Sequence, residues 1–128
     1  MAGLVLGSAD GLARRNEDQS ARANRIRIGR VLRWMEENPA ENASAEELAR
    51  IAGLSAAAFH VHFKRETGTS PKDHWLRLKV EHAARRLRAD PDLSVTTVAF
   101  DLGFSSSQYF STVCRRYLGV PPGTLRDG

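Results

Sequence analysis

Val98-Ala99-Phe100-Asp101-Leu102-Gly103-Phe104-Ser105 decides the fold, because it restates Leu48-Ala49-Arg50-Ile51-Ala52-Gly53-Leu54-Ser55. Both stretches read apolar-Ala-x-x-x-Gly-apolar-Ser, offset by 50 positions. Beyond the serines the match continues at an offset of 51. Phe59 then answers to Phe110, Phe63 to Cys114, Lys64-Arg65 to Arg115-Arg116, Gly68 to Gly119 and Pro71 to Pro122. Each copy reads as a short helix, a glycine turn and a second helix, the build of a helix-turn-helix. Two copies are too few for a solenoid, so the chain holds a duplicated module. Two such units on one short basic chain point to DNA.

Working outward, local signals bound each unit. Ser44-Ala45-Glu46-Glu47 has the form of a capping box, opening a helix that turns Leu48, Ile51 and Ala52 inward. Gly53 ends it in the left-handed conformation that glycine adopts at little cost. Ser55 caps the next helix, and the first unit spans about residues 44–67. Ser70-Pro71 opens a linking helix over about 71–89, with Leu76, Val80, Ala83, Ala84 and Leu87 on one face. Asp90-Pro91 closes it. The second unit runs from about 94 to 118, beginning at Ser94, with Ser105 capping its second helix. Pro121-Pro122 begins a last short turn. Upstream, Ile28, Val31, Leu32 and Met35 mark a first helix from about Asn24 to Asn38-Pro39. Residues 1–23 show no sustained period and read as a flexible tail or linker remnant. Residues 24–128 form the domain.

The chain has 128 residues, a formal net charge of +4 and a sequence pI of about 9.8. Residues 1–23 are neutral, so the whole excess lies in 24–128, with sixteen basic and twelve acidic residues. Cys114 is the sole cysteine, which excludes an internal disulfide and a cysteine zinc site and fits a cytoplasmic location. No apolar run approaches a membrane span. His60 and His62 point about 200° apart on a helix and cannot share one ion. No nucleophile elbow or phosphate loop is present. Neither metal nor cofactor is expected, and the chain is not expected to be an enzyme.

Sorting the faces of the second helix of each unit gives the candidate site. Phe59, His62, Phe63 and Glu66 share one stripe, as do Phe110, Val113, Cys114 and Tyr117. These should face the core. Opposite lie Ala57, His60, Val61 and Lys64, then Gln108, Ser111, Thr112 and Arg115. Short side chains let a backbone approach a major groove, polar groups read base edges, and the terminal cation meets phosphate. Any solvated helix also presents a small polar face. The repeat tips the balance, because two solvated faces need not share a turn, a cap and a terminal cation. A protein-binding surface is the competing reading. Salt separates the two, since DNA affinity falls steeply with ionic strength.

Residues from about 26 to 126 resemble the DNA-binding module of the AraC/XylS family of bacterial transcription regulators. The resemblance lies in Ala99-x-x-x-Gly103-Phe104-Ser105-x-x-x-Tyr109-Phe110 and Arg115-Arg116-x-x-Gly119-Val120-x-Pro122-x-x-x-Arg126. It extends to Gly53-Leu54-Ser55 and Phe63-Lys64-Arg65-Glu66-Thr67-Gly68-x-Ser70-Pro71. It implies an all-α fold of seven helices, with two helix-turn-helix subdomains joined by a long central helix. It also implies sequence-specific binding of double-stranded DNA in successive major grooves. Activation through RNA polymerase is a further implication. With both reading heads on one chain, a monomer is expected to suffice.

By position, the resemblance puts base reading on Ala57, His60, Val61, Ser107, Gln108 and Thr112. Gln108 suits adenine. Val61 and Thr112 stand where relatives often carry a longer polar or basic residue. Lys64, Arg65, Arg115, Arg116 and Arg126 are the phosphate candidates, with about half expected to touch DNA. Cys114 replaces a usual phenylalanine and Leu125 a usual tyrosine, which should lighten the packing of the second unit.

Overall fold

In a computed structural model, the backbone of residues 2–126 and the side chains of residues 15–126 are described. Six α-helices follow in order: α1 (Ala2–Glu37), α2 (Ala45–Ala52), α3 (Ala56–Thr67), α4 (Pro71–Ala89), α5 (Val95–Asp101) and α6 (Ser107–Leu118). A 3-10 turn, Pro122–Arg126, ends the described chain.

The expected seventh helix is therefore a five-residue 3-10 turn. Pro121 and Pro122 supply no amide hydrogens, and the segment is held from outside rather than by a helical ladder. Arg88 Nε donates to Leu125 O at 3.1 Å, and Arg126 donates to Pro91 O at 2.6 Å. The first helix also differs from expectation. It begins at Ala2, not near Asn24. No proline interrupts residues 1–38, so no backbone block stops the helix packed through Ile28 and Val31 from continuing upstream. Residues 15–22 are exposed along that extension. Among the described residues, no helix is long and apolar enough to cross a membrane.

Two apolar clusters form the core, one per helix-turn-helix. The first gathers Ile28, Val31 and Met35 of α1, Leu48, Ala49 and Ala52 of α2, Phe59 and Phe63 of α3, and Trp75 of α4. The second gathers Val80, Ala83, Ala84 and Leu87 of α4 with residues of α5, α6 and the last turn. Trp75 and Leu78 of α4 thus serve the first cluster, and Leu76 with the stretch from Val80 to Leu87 the second. The expected inward stripes of α1, α2 and α4 all lie in these clusters. Trp34 meets Trp75 edge-on at 5.5 Å, as core aromatics do. Cys114 is fully buried, and burial pushes its thiol up to about 12. It acts as a small inert hydrophobe.

Candidate nucleic-acid interface

The two turns share one backbone solution. Leu54 N donates to Ala49 O and Gly53 N to Arg50 O, at 3.0 and 3.1 Å. Phe104 N to Ala99 O and Gly103 N to Phe100 O repeat the pattern, both at 3.0 Å. Each glycine is left-handed, with φ of 73° and 83°. This paired geometry closes a helix and redirects the chain within two residues.

The second helices start one residue out of step. Ser55 caps α3 by accepting from Ala58 N at 3.2 Å. In the second unit Ser106 does this, accepting from Tyr109 N at 3.0 Å, and not Ser105 as its match to Ser55 suggested. The turn holds one extra residue, which explains why the repeat changes offset there.

The face expected to read bases is open. Ala57, His60 and Val61 are exposed on α3, with Val61 at 53%. Gln108 and Thr112 are exposed on α6, while Ser107 is half-buried at its first turn. The Thr112 hydroxyl donates to Gln108 O at 3.1 Å, leaving its oxygen lone pairs and its methyl group available. The opposite stripes carry Phe59, Phe63, Phe110, Val113 and Cys114, all buried. Glu66 departs from its expected inward place and is exposed, since it lies in the last turn beyond the aromatic contacts.

The five candidate phosphate cations divide. Lys64, Arg65 and Arg115 are exposed, and none has an ion-pair partner among the described residues. Arg116 lies 3.8 Å from Asp73 and 5.4 Å from the centre of the Tyr117 ring. The hydroxyl of that tyrosine donates to Asp73 at 2.6 Å. This bond, then that from Ser70, holds the Asp73 carboxyl below its ordinary range. Arg126 is turned to the end of α4, donating to Asp90 O and Pro91 O at 3.3 and 2.6 Å. Three cations are thus free for an anion and two are tied into the fold.

Two features escaped the sequence reading. Residues 22–33 carry five arginines and no acidic residue, more than the net excess of the whole chain. A charge count by segment finds this. Lys79, placed on the linking helix with no assigned role, is 3% exposed and bonded to three backbone carbonyls. Nothing local in the sequence signals that.

Comparison with known proteins agrees with this geometry. The profile of a family described as "Helix-turn-helix domain" matches residues 48–128. The chain is 37% identical over 102 residues to the HTH-type transcriptional activator RhaS of Escherichia fergusonii, covering 80% of this chain and 36% of that protein. RhaS of Enterobacter sp. is 35% identical over 105 residues, covering 82% and 37%. Among solved structures, a regulator from Chromobacterium violaceum with an AraC-type DNA-binding domain superposes with a TM-score of 0.73 at 26% identity, covering 80% of this chain and 91% of that one.

The chain belongs to the AraC/XylS family.

The DNA-binding domain of AdpA, solved in complex with a target DNA, superposes equally well on this family member, with a TM-score of 0.73 at 32% identity over 78% of this chain and 89% of that one. This AraC/XylS chain carries the family's DNA-binding domain. The RhaS relatives are transcription activators, and the DNA in the AdpA structure is that protein's target. It spans little more than a third of the length of the RhaS proteins.

Proposed function

We propose that this chain is the DNA-reading part of a bacterial transcription activator, acting in the cytoplasm where its DNA lies. It binds one asymmetric site of about two helical turns as a monomer, with α3 and α6 in successive major grooves. The observation that carries this reading is the pair of equivalent turn-helix units with open polar faces at the two ends of one helix. At 19 residues, α4 is roughly 28 Å long at 1.5 Å per residue. Successive grooves on one side of a duplex lie about 34 Å apart, so some bending of the DNA is expected. The AdpA domain supports the choice of DNA, and the RhaS relatives, which are activators, support the direction of regulation. Activation requires contact with RNA polymerase.

On this reading Gln108 takes adenine through its amide, and Ser107 and Thr112 flank it. His60 bonds a base edge while Ala57 and Val61 meet thymine methyl groups. Lys64, Arg65 and Arg115 sit on phosphates. Arg116 and Arg126 contribute less, because their bonds within the fold compete. Residues 1–23 stand as a linker ahead of the DNA-binding unit, 24–128.

Selection of bound sites from random duplex DNA tests the proposal. The expected result is a two-part motif with centres about 10 base pairs apart and affinity that falls steeply with salt. A one-part motif, or no enrichment, overturns it.

A further inference from the structure

The two apolar clusters share no residue. Between them lies a half-open cavity of about 530 Å³, walled by Leu48, Pro71 and Trp75 on one side and by Phe104 and Tyr109 on the other. Apolar packing therefore does not lock one unit against the other. Continuity of α4 does part of that work. The remaining ties across the gap are polar.

Lys79 is the centre of those ties. Its Nζ donates to Pro39 O at 2.6 Å and Glu41 O at 2.7 Å, both in the loop between α1 and α2 of the first unit. The third bond goes to Leu102 O at 2.8 Å, at the end of α5 in the second unit. An ammonium has three donors, and all three are used. The Trp75 ring lies 4.9 Å below the charge. No carboxylate pairs with it among the described residues. Beside it, Asn42 Nδ2 donates to Gly103 O at 2.8 Å. The same loop passes so close to the second turn that a Cβ on Gly103 would stand 2.7 Å from Ala40 O.

A buried ammonium is costly unless every donor is satisfied. Withdrawing the 39–42 loop from α5 would strand that charge, so the joint holds as a whole or opens as a whole. Burial lowers the pKa of Lys79 to about 8, and the Glu41 carboxylate offsets part of that shift.

We infer that Lys79, with Asn42, is a polar joint that sets the distance and phase between the two recognition helices, which makes Lys79 a positioning residue for two-part DNA sites. The inference rests on the two-groove reading above. Lys79 has no donor left for DNA, so its effect must come through geometry. That effect is on which spacing of half-sites is accepted, not on which bases are read.

The test uses the full chain and duplexes carrying the selected half-sites at their natural spacing and at one or two base pairs more or less. Each added base pair turns the second half-site by about 34°, so wild type should lose about tenfold in affinity per base pair of displacement. Lys79→Met should bind the natural spacing about tenfold more weakly and vary less than about threefold across the series. Asn42→Ala, at an exposed position, should flatten the profile in the same direction but less. Circular dichroism checks that each variant is folded. If Lys79→Met does not fold, Asn42→Ala decides. A folded variant with the wild-type profile, or with a uniform loss that leaves its shape unchanged, overturns the inference. A flat wild-type profile instead overturns the two-groove reading itself.

Discussion

The two turn-helix units have the same backbone and opposite surroundings. Gly53 and Gly103 adopt the same left-handed turn, yet a Cβ on Gly53 would meet nothing within 4 Å, whereas one on Gly103 would meet Ala40 O and the Asn42 side chain. The first unit carries Phe63 at the place where the second has Cys114. It also owns both tryptophans, through α1 and the start of α4. The second unit is braced by polar bonds: Lys79, Asn42, Arg88 and Arg126 all donate to its carbonyls or to those flanking it. Their reading faces differ in the same sense, with Ala57 and Val61 in one and Gln108 and Thr112 in the other. On the proposed reading, the chemically plain unit anchors and the polar one discriminates.

The largest expected contrast is in the cores. Phe63→Ala should cost about 3–5 kcal/mol in thermal or urea unfolding, and Cys114→Ala only about 1 kcal/mol. Equal losses would mean that the second unit is packed as tightly as the first. Next come the turns. Both glycines carry the left-handed cost, about 1 kcal/mol for alanine at Gly53. At Gly103 the crowding loop adds to it, and about 3 kcal/mol is expected. If the two alanine variants melt together, the loop yields and the joint is soft.

The reading faces give smaller and more local effects. Gln108→Ala should remove about 1–3 kcal/mol of preference at one base pair, measured by competition between site variants, while Val61→Ala should change preference far less. The reverse order would reassign the discriminating unit. Smallest is the phosphate pair. Lys64→Ala and Arg115→Ala should each weaken all sequences alike and reduce the salt slope by about 0.9, the one change that should be the same in both units.

The local devices of the fold were legible beforehand. The Ser44–Glu47 box, the Ser55 cap, the helix starts at Ser70 and Ser94, the left-handed Gly53 and the inward stripes of α1, α2 and α4 stand where spacing puts them. Each involves residues within about one helical turn, so the chain itself carries the information. Ser105 misled because the change of offset shows that a residue is inserted beside it but not which serine then caps the helix. The last turn misled because two prolines and outside donors hold it short of an α-helix. Of the phosphate candidates, the open positions of Lys64, Arg65 and Arg115 follow from helical phase. The ties of Arg116 to Asp73 and of Arg126 to Pro91 do not, because their partners come from other elements.

By itself, then, the order of residues determined a duplicated helix-turn-helix, the faces each copy presents and the family to which they belong. Tertiary structure alone decided how the copies are held together. The carbonyls that Lys79 joins lie 23 to 40 positions away along the chain. Only packing of α1, α4 and α5 brings them within reach of one ammonium, and no periodicity or cap encodes a distance of that kind.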